Sequence, residues 1–335
     1  MDEPSAALTG QEVERLFAII RTLTAHGVGV IYISHRLEEV FQVADRITVF
    51  RDGRLIATKT KAELTQDDVI RLMVGRTLDA HFPALPADPP RDKPLLSVRN
   101  LTTPGRINGV NLDVYPGEIY GIAGLVGSGR TSLLRAICGA DRFASGTVTL
   151  AGTELHLSGP HDAIAAGLAL VTEDRKTQGL VLGMSIRENV TLPHLEDFAR
   201  FGVVDRGKET TAVAALAAEL RVRARSIEQA VRSLSGGNQQ KVVLAKWLLE
   251  RATFICFDEP TRGIDVGAKA EIYDLMVSLA NGGTGIIMVS SELPEVLGMS
   301  MRIGVMRGGR IVREFARGEA TQETVIRLAT GAAAA

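Results

Sequence analysis

The chain has 335 residues, of which 45% are hydrophobic and 23% charged, and its formal net charge at pH 7 is -1. Because proteins that bind nucleic acid or anionic lipid carry an excess of lysine and arginine, this balance argues against a general affinity for either partner. No stretch approaches the roughly 18 uninterrupted apolar residues of a membrane span, and residues 1–4 lack the features of a secretory signal. The sequence therefore predicts a cytoplasmic protein long enough for more than one domain.

The first part of the chain is predicted to contain strands at 28–34, 46–50 and 54–57. It also begins a repeat, since the acidic residues Asp2 and Glu3 recur as Asp258 and Glu259. The same spacing holds without a gap to the end of the chain, so that 33–40 lies on 289–296. Two copies of one module are predicted. The first is incomplete, because what precedes the second acidic pair has no counterpart.

A proline-rich stretch at 82–90 separates the two copies. Its composition is typical of an extended linker, and we place the boundaries at 79 and 93. The prediction is a remnant of a first domain at 1–78, a linker at 79–93 and a complete second domain at 94–335. Because the remnant lacks most of the sheet that its strands would join, exposed apolar faces are expected there.

The second copy is predicted to alternate strands and helices. Strands are expected at 95–98, 110–114, 118–123, 254–257 and 285–289, helices at 131–137 and 271–279, a mainly helical region at 185–250, and a closing hairpin at 302–306 and 310–312. The strand at 118–123 leads directly into a glycine-rich loop, and a helix follows that loop. This order predicts an α/β nucleotide-binding core with a helical insertion.

The glycine-rich loop satisfies the phosphate-binding pattern GxxxxGK[ST] except at one position. Its candidate nucleotide-binding residues are Gly124, Gly127, Ser128, Gly129, Arg130, Thr131 and Ser132. Glycines let the backbone approach phosphate oxygens closely, and the hydroxyl of Thr131 suits Mg²⁺. Arg130 stands where lysine is expected, and its planar guanidinium differs in shape from an ammonium group. The alternative is a glycine turn without a ligand.

Two further motifs follow in the order that nucleotide chemistry requires. Asp258 ends an apolar strand and is placed to hold Mg²⁺, while Glu259 could orient or deprotonate an attacking water. Both residues could instead cap a helix. A Ser-Gly-Gly turn at 235–237 opens a helix whose N–H groups could face an anion, and its alternative is a helix start without a ligand.

These motifs resemble the nucleotide-binding domain of ABC transporters, with 124–131 as Walker A and 254–259 as Walker B. The signature motif consists of Leu234, Ser235, Gly236, Gly237, Asn238 and Gln239. Residues 173–181, 236–241 and 258–265 look like the second domain of tandem monosaccharide-import ATPases of the ribose, xylose and galactose type. The resemblance implies a P-loop NTPase fold with a helical subdomain, preceded by the C-terminal part of a second such domain and truncated at the N-terminus.

The resemblance also implies roles for individual residues. Glu259 would be catalytic, as would Glu3 and His35 in the first copy, while Thr131, Asp258 and Asp2 would hold the metal. Glu173 and Ser291 would lie at the ATP. The cofactors implied are ATP and Mg²⁺.

The partners implied are membrane permease subunits, indirectly a periplasmic or lipid-anchored sugar-binding protein, and a second nucleotide-binding chain, but no nucleic acid. The protein would be peripheral on the inner face of the cell membrane. A permease coupling helix would dock at 173–189, whose alternative is a plain solvated loop.

The second copy departs from the ABC pattern at three positions. Arg130 replaces lysine, Ser291 replaces the switch histidine and Glu173 replaces glutamine, and 102–108 offers no aromatic ring for adenine. A slow or silent second site is expected, because serine cannot take the place of an imidazole that contacts γ-phosphate. A carboxylate at position 173 would also repel nearby phosphates unless a metal intervenes. The alternatives are a non-hydrolysing nucleotide-binding regulatory or vestigial module and a non-transport ABC ATPase.

Overall fold

Residues 1, 4–5, 10–34, 37–51, 54–66, 68–69, 72, 82–249 and 252–331 are described by a computed structural model. The chain divides into two units, Met1–His81 with Asp265–Gly267, and Phe82–Ile264 with Ala268–Ala335. Each unit has hydrophobic clusters of its own. Among the described residues, no helix has both the length and the apolar character that crossing a membrane requires.

The described residues of the first unit include the helices α1 (Gly10–Ala25) and α2 (Leu37–Val43) and a hairpin. Val13, Phe17 and Ile20 recur at helical spacing and form the buried face of α1. Strands β1 (Arg46–Arg51) and β2 (Arg54–Thr60) pair antiparallel, which confirms the strands predicted at 46–50 and 54–57.

The strand predicted at 28–34 is wrong. These residues form no named strand, and only Ile33 is a bridge residue. The N–H of Ile33 donates to the carbonyl of Met1 at 2.9 Å, and the Met1 amino group donates to the carbonyl of Ile31 at 2.9 Å. Because a strand requires a ladder to a neighbour, apolar composition does not produce one by itself. Ile31 is left 79% exposed, and the expected exposed apolar side chains are present in this unit.

The second unit contains both strands and helices. In chain order they are β3 (Leu96–Thr103), β4 (Ile107–Val114), β5 (Ile119–Gly124), α3 (Arg130–Ile137), β6 (Ser145–Leu150), β7 (Thr153–Glu154), α4 (Pro160–Ala165), β8 (Leu168–Val171), α5 (Ile186–Thr191), α6 (Leu195–Phe198), β9 (Ala199–Arg200), β10 (Val203–Val204), α7 (Arg206–Glu219), α8 (Gly236–Leu248), β11 (Phe254–Asp258), α9 (Val266–Asn281), β12 (Gly285–Val289), α10 (Leu293–Met299), β13 (Arg302–Arg307), β14 (Arg310–Ala316) and α11 (Gln322–Thr330).

A six-stranded sheet in the order β14-β13-β5-β12-β11-β8 forms the centre of this unit. Its strands run parallel except for β14, which pairs antiparallel with β13. Every residue of β11 and β12 is buried, as expected for strands covered on both faces. The carboxyl ends of β5, β11 and β12 meet at one edge, where Asp258 lies opposite Val289 and Val289 opposite Ile122. This edge is where ligands of parallel sheets bind.

A four-stranded antiparallel sheet in the order β4-β3-β6-β7 packs with α3 against one face of the central sheet. Leu133, Leu134 and Ile137 of α3 are fully buried in that cluster together with Cys256 of β11. Cys256 and Cys138 are both buried free thiols, and the pKa of Cys256 is raised by its contact with Cys138 and by burial.

The helical region predicted at 185–250 is interrupted. Helices α5, α6, α7 and α8 are present, but β9 and β10 form a small hairpin between α6 and α7. Its turn places Phe201 at φ 54° and Gly202 at φ 77°, a left-handed pair that no helix can contain. A non-helical stretch at 221–230 separates α7 from the short 3₁₀ turn before α8. Apolar spacing alone did not reveal either break.

A single π-helical turn, Arg175–Gly179, follows β8 and lies against α8. Lys246 of α8 donates from its ammonium group to the carbonyl of Gly179. The Lys246 side chain is buried, and burial lowers its pKa from 10.5 to about 8. A buried lysine of this kind is charged at neutral pH at an energetic cost.

The stability of the protein is therefore expected to rise as the pH increases from about 8 to 10.5. The unfolded chain holds the Lys246 proton up to 10.5, whereas the folded chain releases it near 8, so the free energy of unfolding rises by about 3 kcal/mol across this window. Lys246→Met, which removes the titrating group, should flatten the rise. Urea unfolding of both proteins from pH 7 upward measures this, and parallel profiles would contradict the assignment.

Candidate functional site

The loop between β5 and α3 is held by its glycines. Gly127 and Gly129 have φ values of 83° and 105°, which favour glycine. A Cβ atom on Gly129 would lie 2.9 Å from the carbonyl oxygen of Arg106, and one on Gly124 would lie 2.5 Å from that of Met306. The carbonyl of Ser128 accepts a hydrogen bond from the N–H of Gly309 at 2.9 Å. The loop is thus fixed in a shape that leaves no room for side chains at Gly124 and Gly129.

Two kinds of donor remain available in this loop. The Ser128 hydroxyl is buried, and no described residue forms a hydrogen bond with it. The first N–H groups of α3 have no intrahelical acceptor, as at any helix N-terminus, and the positive end of the helix dipole lies there. Ser132 of the same turn is buried, with its hydroxyl 3.5 Å from Nη1 of Arg106. A phosphate group fits this set of donors.

Asp258 ends β11 beside the loop. The hydroxyl of Thr131 donates to Oδ1 of Asp258 at 3.2 Å, and Asp258 is only 2% exposed. The pKa of Asp258 is raised from 3.8 to about 6, mainly by burial and also by the neighbouring Glu259, although the Thr131 hydrogen bond and Arg130 oppose the shift. Oxygen donors of these two kinds suit Mg²⁺, which commonly takes one or two protein ligands beside phosphate oxygens.

Glu259 is held by the segment that follows β12. Its Oε2 accepts hydrogen bonds from the N–H and the hydroxyl of Ser291, both at 2.9 Å. Its backbone N–H donates to the carbonyl of Val289 at 2.9 Å. Glu259 also has a φ of 51°, a left-handed conformation that costs a non-glycine residue about 1 kcal/mol or more and is often found at functional sites. The carboxylate is thereby positioned at the edge of the sheet next to Asp258.

Arg130 is bound to protein groups in this structure. Its Nη1 donates to the carbonyl of Ser290 at 2.6 Å, and its Nη2 lies 3.7 Å from Oε1 of Glu259. The side chain is 8% exposed, and burial lowers its pKa although Glu259 and Asp258 oppose the shift. The guanidinium thus connects the start of α3 to the end of β12. A phosphate would compete with these contacts or use its remaining N–H groups.

Glu173 forms an ion pair with Arg262, so its charge is balanced by a neighbour on the segment after β11. This contact offsets the repulsion that the sequence predicted between Glu173 and phosphate.

The six signature residues lie at the start of α8. Leu234 is buried, Asn238 donates to the hydroxyl of Ser235 at 2.9 Å, and Gln239 donates to the carbonyl of Val231 at 3.2 Å. Gly236 and Gly237 begin the helix. Among the described residues, no hydrogen bond or ion pair joins this group to the glycine loop. Asp2, Glu3 and His35 lie outside the described residues.

A buried carboxylate behind the site was missed by the sequence reasoning. Glu295 of α10 accepts hydrogen bonds from the hydroxyls of Thr261, Tyr273 and Ser290 at 2.6–2.8 Å and lies 2.9 Å from Nζ of Lys269. The sequence signal was weak, because a glutamate in a short helix normally faces water. A sequence trace of it is the repeat, because 33–40 lies on 289–296 and Glu39 therefore corresponds to Glu295.

The parallel sheet, the glycine loop and the acidic pair together define a P-loop nucleotide-binding domain. Residues 107–262 match the protein family described as ABC transporter. The chain is 51% identical over 333 residues to the ribose import ATP-binding protein RbsA of Chromobacterium violaceum, covering 99% of this chain and 66% of that protein. It is 50% identical over 331 residues to RbsA of Lactococcus lactis subsp. cremoris, covering 99% and 67%.

Solved structures of other proteins share the fold. One is the dimeric post-hydrolysis state of the ATP-binding cassette MJ0796 bound to ADP and Pi, with a TM-score of 0.58 and 22% identity, which covers 67% of this chain and 100% of that one. Another is the ADP conformation of MJ1267, an ATP-binding cassette of an ABC transporter, with a TM-score of 0.59 and 19% identity over 72% of this chain and 96% of that one.

The chain therefore belongs to the ABC transporter family of nucleotide-binding proteins. It spans about two thirds of the length of the curated relatives that it matches.

Proposed function

We propose that this chain is the ATP-binding part of an ABC importer for a monosaccharide, and that it binds MgATP at the carboxyl edge of its central sheet. The observation that carries the proposal is the meeting of Thr131, Asp258 and Glu259 beside the glycine loop. Similarity to the two RbsA proteins, both named for ribose import, supports the substrate class and does not favour a non-transport ATPase.

The residues of this site have separate roles in phosphate binding, Mg²⁺ binding and proton transfer. The N–H groups at the start of α3 and the Ser128 hydroxyl bind phosphate oxygens, and Arg130 adds positive charge. Thr131 and Asp258 hold Mg²⁺, which when bound neutralises charge on the phosphates. Glu259, oriented by Ser291, accepts a proton from the attacking water. Glu173, paired with Arg262, lies at the border of the site.

The proposed organisation of the whole protein follows the repeat. Residues 1–78 belong to a first nucleotide-binding domain, 79–93 form a linker, and 94–335 form the second domain. In this arrangement Asp2 would hold Mg²⁺ and Glu3 and His35 would act on ATP in the first domain, while the signature residues of α8 face that ATP. A second nucleotide-binding chain would supply any element that the first domain requires from outside.

The proposed partners are membrane permease subunits, which are driven by ATP binding and hydrolysis, and a sugar-binding protein that delivers the substrate to them. Residues 173–189 are proposed as the surface that contacts a permease. The protein would then lie on the cytoplasmic face of the membrane. Val181 and Met184 in this segment are exposed apolar side chains, which is consistent with such a contact.

Sugar uptake by the native host tests this proposal. Deletion of the gene should abolish high-affinity uptake of labelled ribose, xylose or galactose, and expression of the intact gene should restore it. Uptake of a labelled amino acid serves as the control and should not change. Unchanged uptake of all three sugars would overturn the proposed substrate class.

A further inference from the structure

Arg175 connects two segments that lie far apart in the sequence. Its Nη1 donates to the carbonyl of Arg262 at 2.8 Å, and its Nη2 donates to the carbonyl of Gly263 at 3.1 Å. Its Nε–H is buried, and no described residue accepts a hydrogen bond from it. A planar guanidinium with both Nη groups donating to consecutive carbonyls is fixed in orientation, unlike an ammonium group that rotates freely. Arg175 therefore fastens the π-helical turn Arg175–Gly179 to the turn at 262–263.

The same guanidinium lies against the first residue of α8. A Cβ atom on Gly236 would be 2.9 Å from Nη2 of Arg175 and 3.3 Å from the carbonyl oxygen of Gly263. Because Gly236 has no side chain, the helix start can approach both groups. The backbone of Gly263 has a φ of 65°, which presents its carbonyl in this direction at no cost to a glycine. The π-helical turn, the turn at 262–263 and the start of α8 thus meet at the side chain of Arg175.

The other end of the π-helical turn also contacts α8. The carbonyl of Gly179 accepts the hydrogen bond from Lys246, and a Cβ atom on Gly179 would lie 3.1 Å from Cγ2 of Val243. The helix rises about 1.5 Å per residue, so its contacts at Gly236 and Lys246 are about 15 Å apart. A short rigid segment fastened to a helix at two such points must move with it.

The turn at 262–263 is also connected to the acidic pair, Asp258 and Glu259. The N–H of Arg262 donates to the carbonyl of Glu259 at 3.2 Å, and the Arg262 side chain pairs with Glu173. A change in the position of Glu259 therefore displaces the two carbonyls that hold Arg175. We propose that Arg175 is a positioning residue that transmits nucleotide occupancy at the Asp258–Glu259 edge to α8. The inference rests on the proposed binding of MgATP.

Trp247 makes the proposal testable, because it is the single tryptophan of the chain and lies on α8 next to Lys246. MgATP added to the wild-type protein should change the fluorescence of Trp247. Arg175→Gln should lose this change while keeping the wild-type affinity for MgATP, measured by equilibrium dialysis. If Arg175 had a purely structural role, its replacement would not separate the affinity for MgATP from the fluorescence change of Trp247. Arg142→Gln removes an exposed arginine outside these contacts and should behave as wild type.

Arg175→Lys provides a second variant that keeps the charge but can reach only one carbonyl, and it should show a reduced signal. If circular dichroism shows that Arg175→Gln does not fold, Arg175→Lys tests the proposal in its place. A full fluorescence change in a variant that binds MgATP would overturn the proposal, as would wild-type binding without any change at Trp247. Failure of the wild-type protein to bind MgATP would instead contradict the proposed function.

Discussion

Replacement of Glu259 by glutamine is expected to lower the rate of ATP hydrolysis by about 10²–10⁴-fold and to leave MgATP binding in place. The carboxylate is fixed by two hydrogen bonds from Ser291. Glutamine has nearly the same size, and its amide oxygen can accept those hydrogen bonds, so the site should keep its shape. An amide cannot take a proton from water, however. The chemical step should therefore be lost and the binding step retained.

Steady-state release of phosphate and equilibrium binding of MgATP, measured on the same preparations, separate the two steps. Glu292→Gln is the matched control, since Glu292 is an exposed neighbour that pairs with Lys269 and not with Ser291. Hydrolysis by Glu259→Gln at the wild-type rate would assign the base to another residue. A wild-type chain that binds MgATP without turnover would instead support the alternative of a non-hydrolysing module.

The inner strands of the central sheet, β5, β11 and β12, were predictable because they are buried on both faces. Each of β11 and β12 is a short apolar run bounded by polar or glycine residues. A run of this length is typical of a buried strand, because helices of globular proteins are longer. The glycine loop was predictable for a different reason. A Cβ atom at Gly124 or Gly129 would lie within 3 Å of a backbone carbonyl oxygen, so both glycines are dictated by geometry that leaves a pattern in the sequence.

The contacts of the charged side chains were not predictable from the sequence. The sequence indicates that Arg130 is near phosphate, but only the register of β12 against β11 and β5 brings the Ser290 carbonyl within 2.6 Å of it. Likewise, repulsion was expected at Glu173, and the partner that balances its charge, Arg262, is 89 positions away in the chain. Long-range pairs of this kind depend on tertiary packing, which hydrophobic periodicity does not encode.

Glu295 is another residue whose contacts depend on tertiary packing, and its replacement is expected to have the largest effect on stability. It is 2% exposed and receives hydrogen bonds from three hydroxyl groups in addition to the ion pair with Lys269. Burial alone would raise the pKa of Glu295, but Lys269 and the hydroxyl donors Tyr273 and Thr261 outweigh it and hold the pKa below 4.5. The stabilisation is therefore complete at neutral pH and is lost only as the pH falls through this lowered pKa.

Glu295→Ala should lower the free energy of unfolding by about 3–5 kcal/mol, because it leaves Lys269 and three buried hydroxyls without their shared acceptor. Glu295→Gln keeps the size and one acceptor oxygen and should lose less. Glu292→Ala removes the exposed partner of the same lysine and should cost at most about 1 kcal/mol.

Urea unfolding at pH 7 measures the free energy of unfolding of Glu295→Ala, Glu295→Gln and Glu292→Ala. Because Ser290 donates to Glu295 and its carbonyl binds Arg130, Glu295→Ala should also weaken MgATP binding at temperatures where the variant remains folded. An alanine variant as stable as the Glu292 control would show that the hydroxyl groups and Lys269 find other partners. The buried carboxylate would then not be what fixes Ser290 behind the phosphate loop.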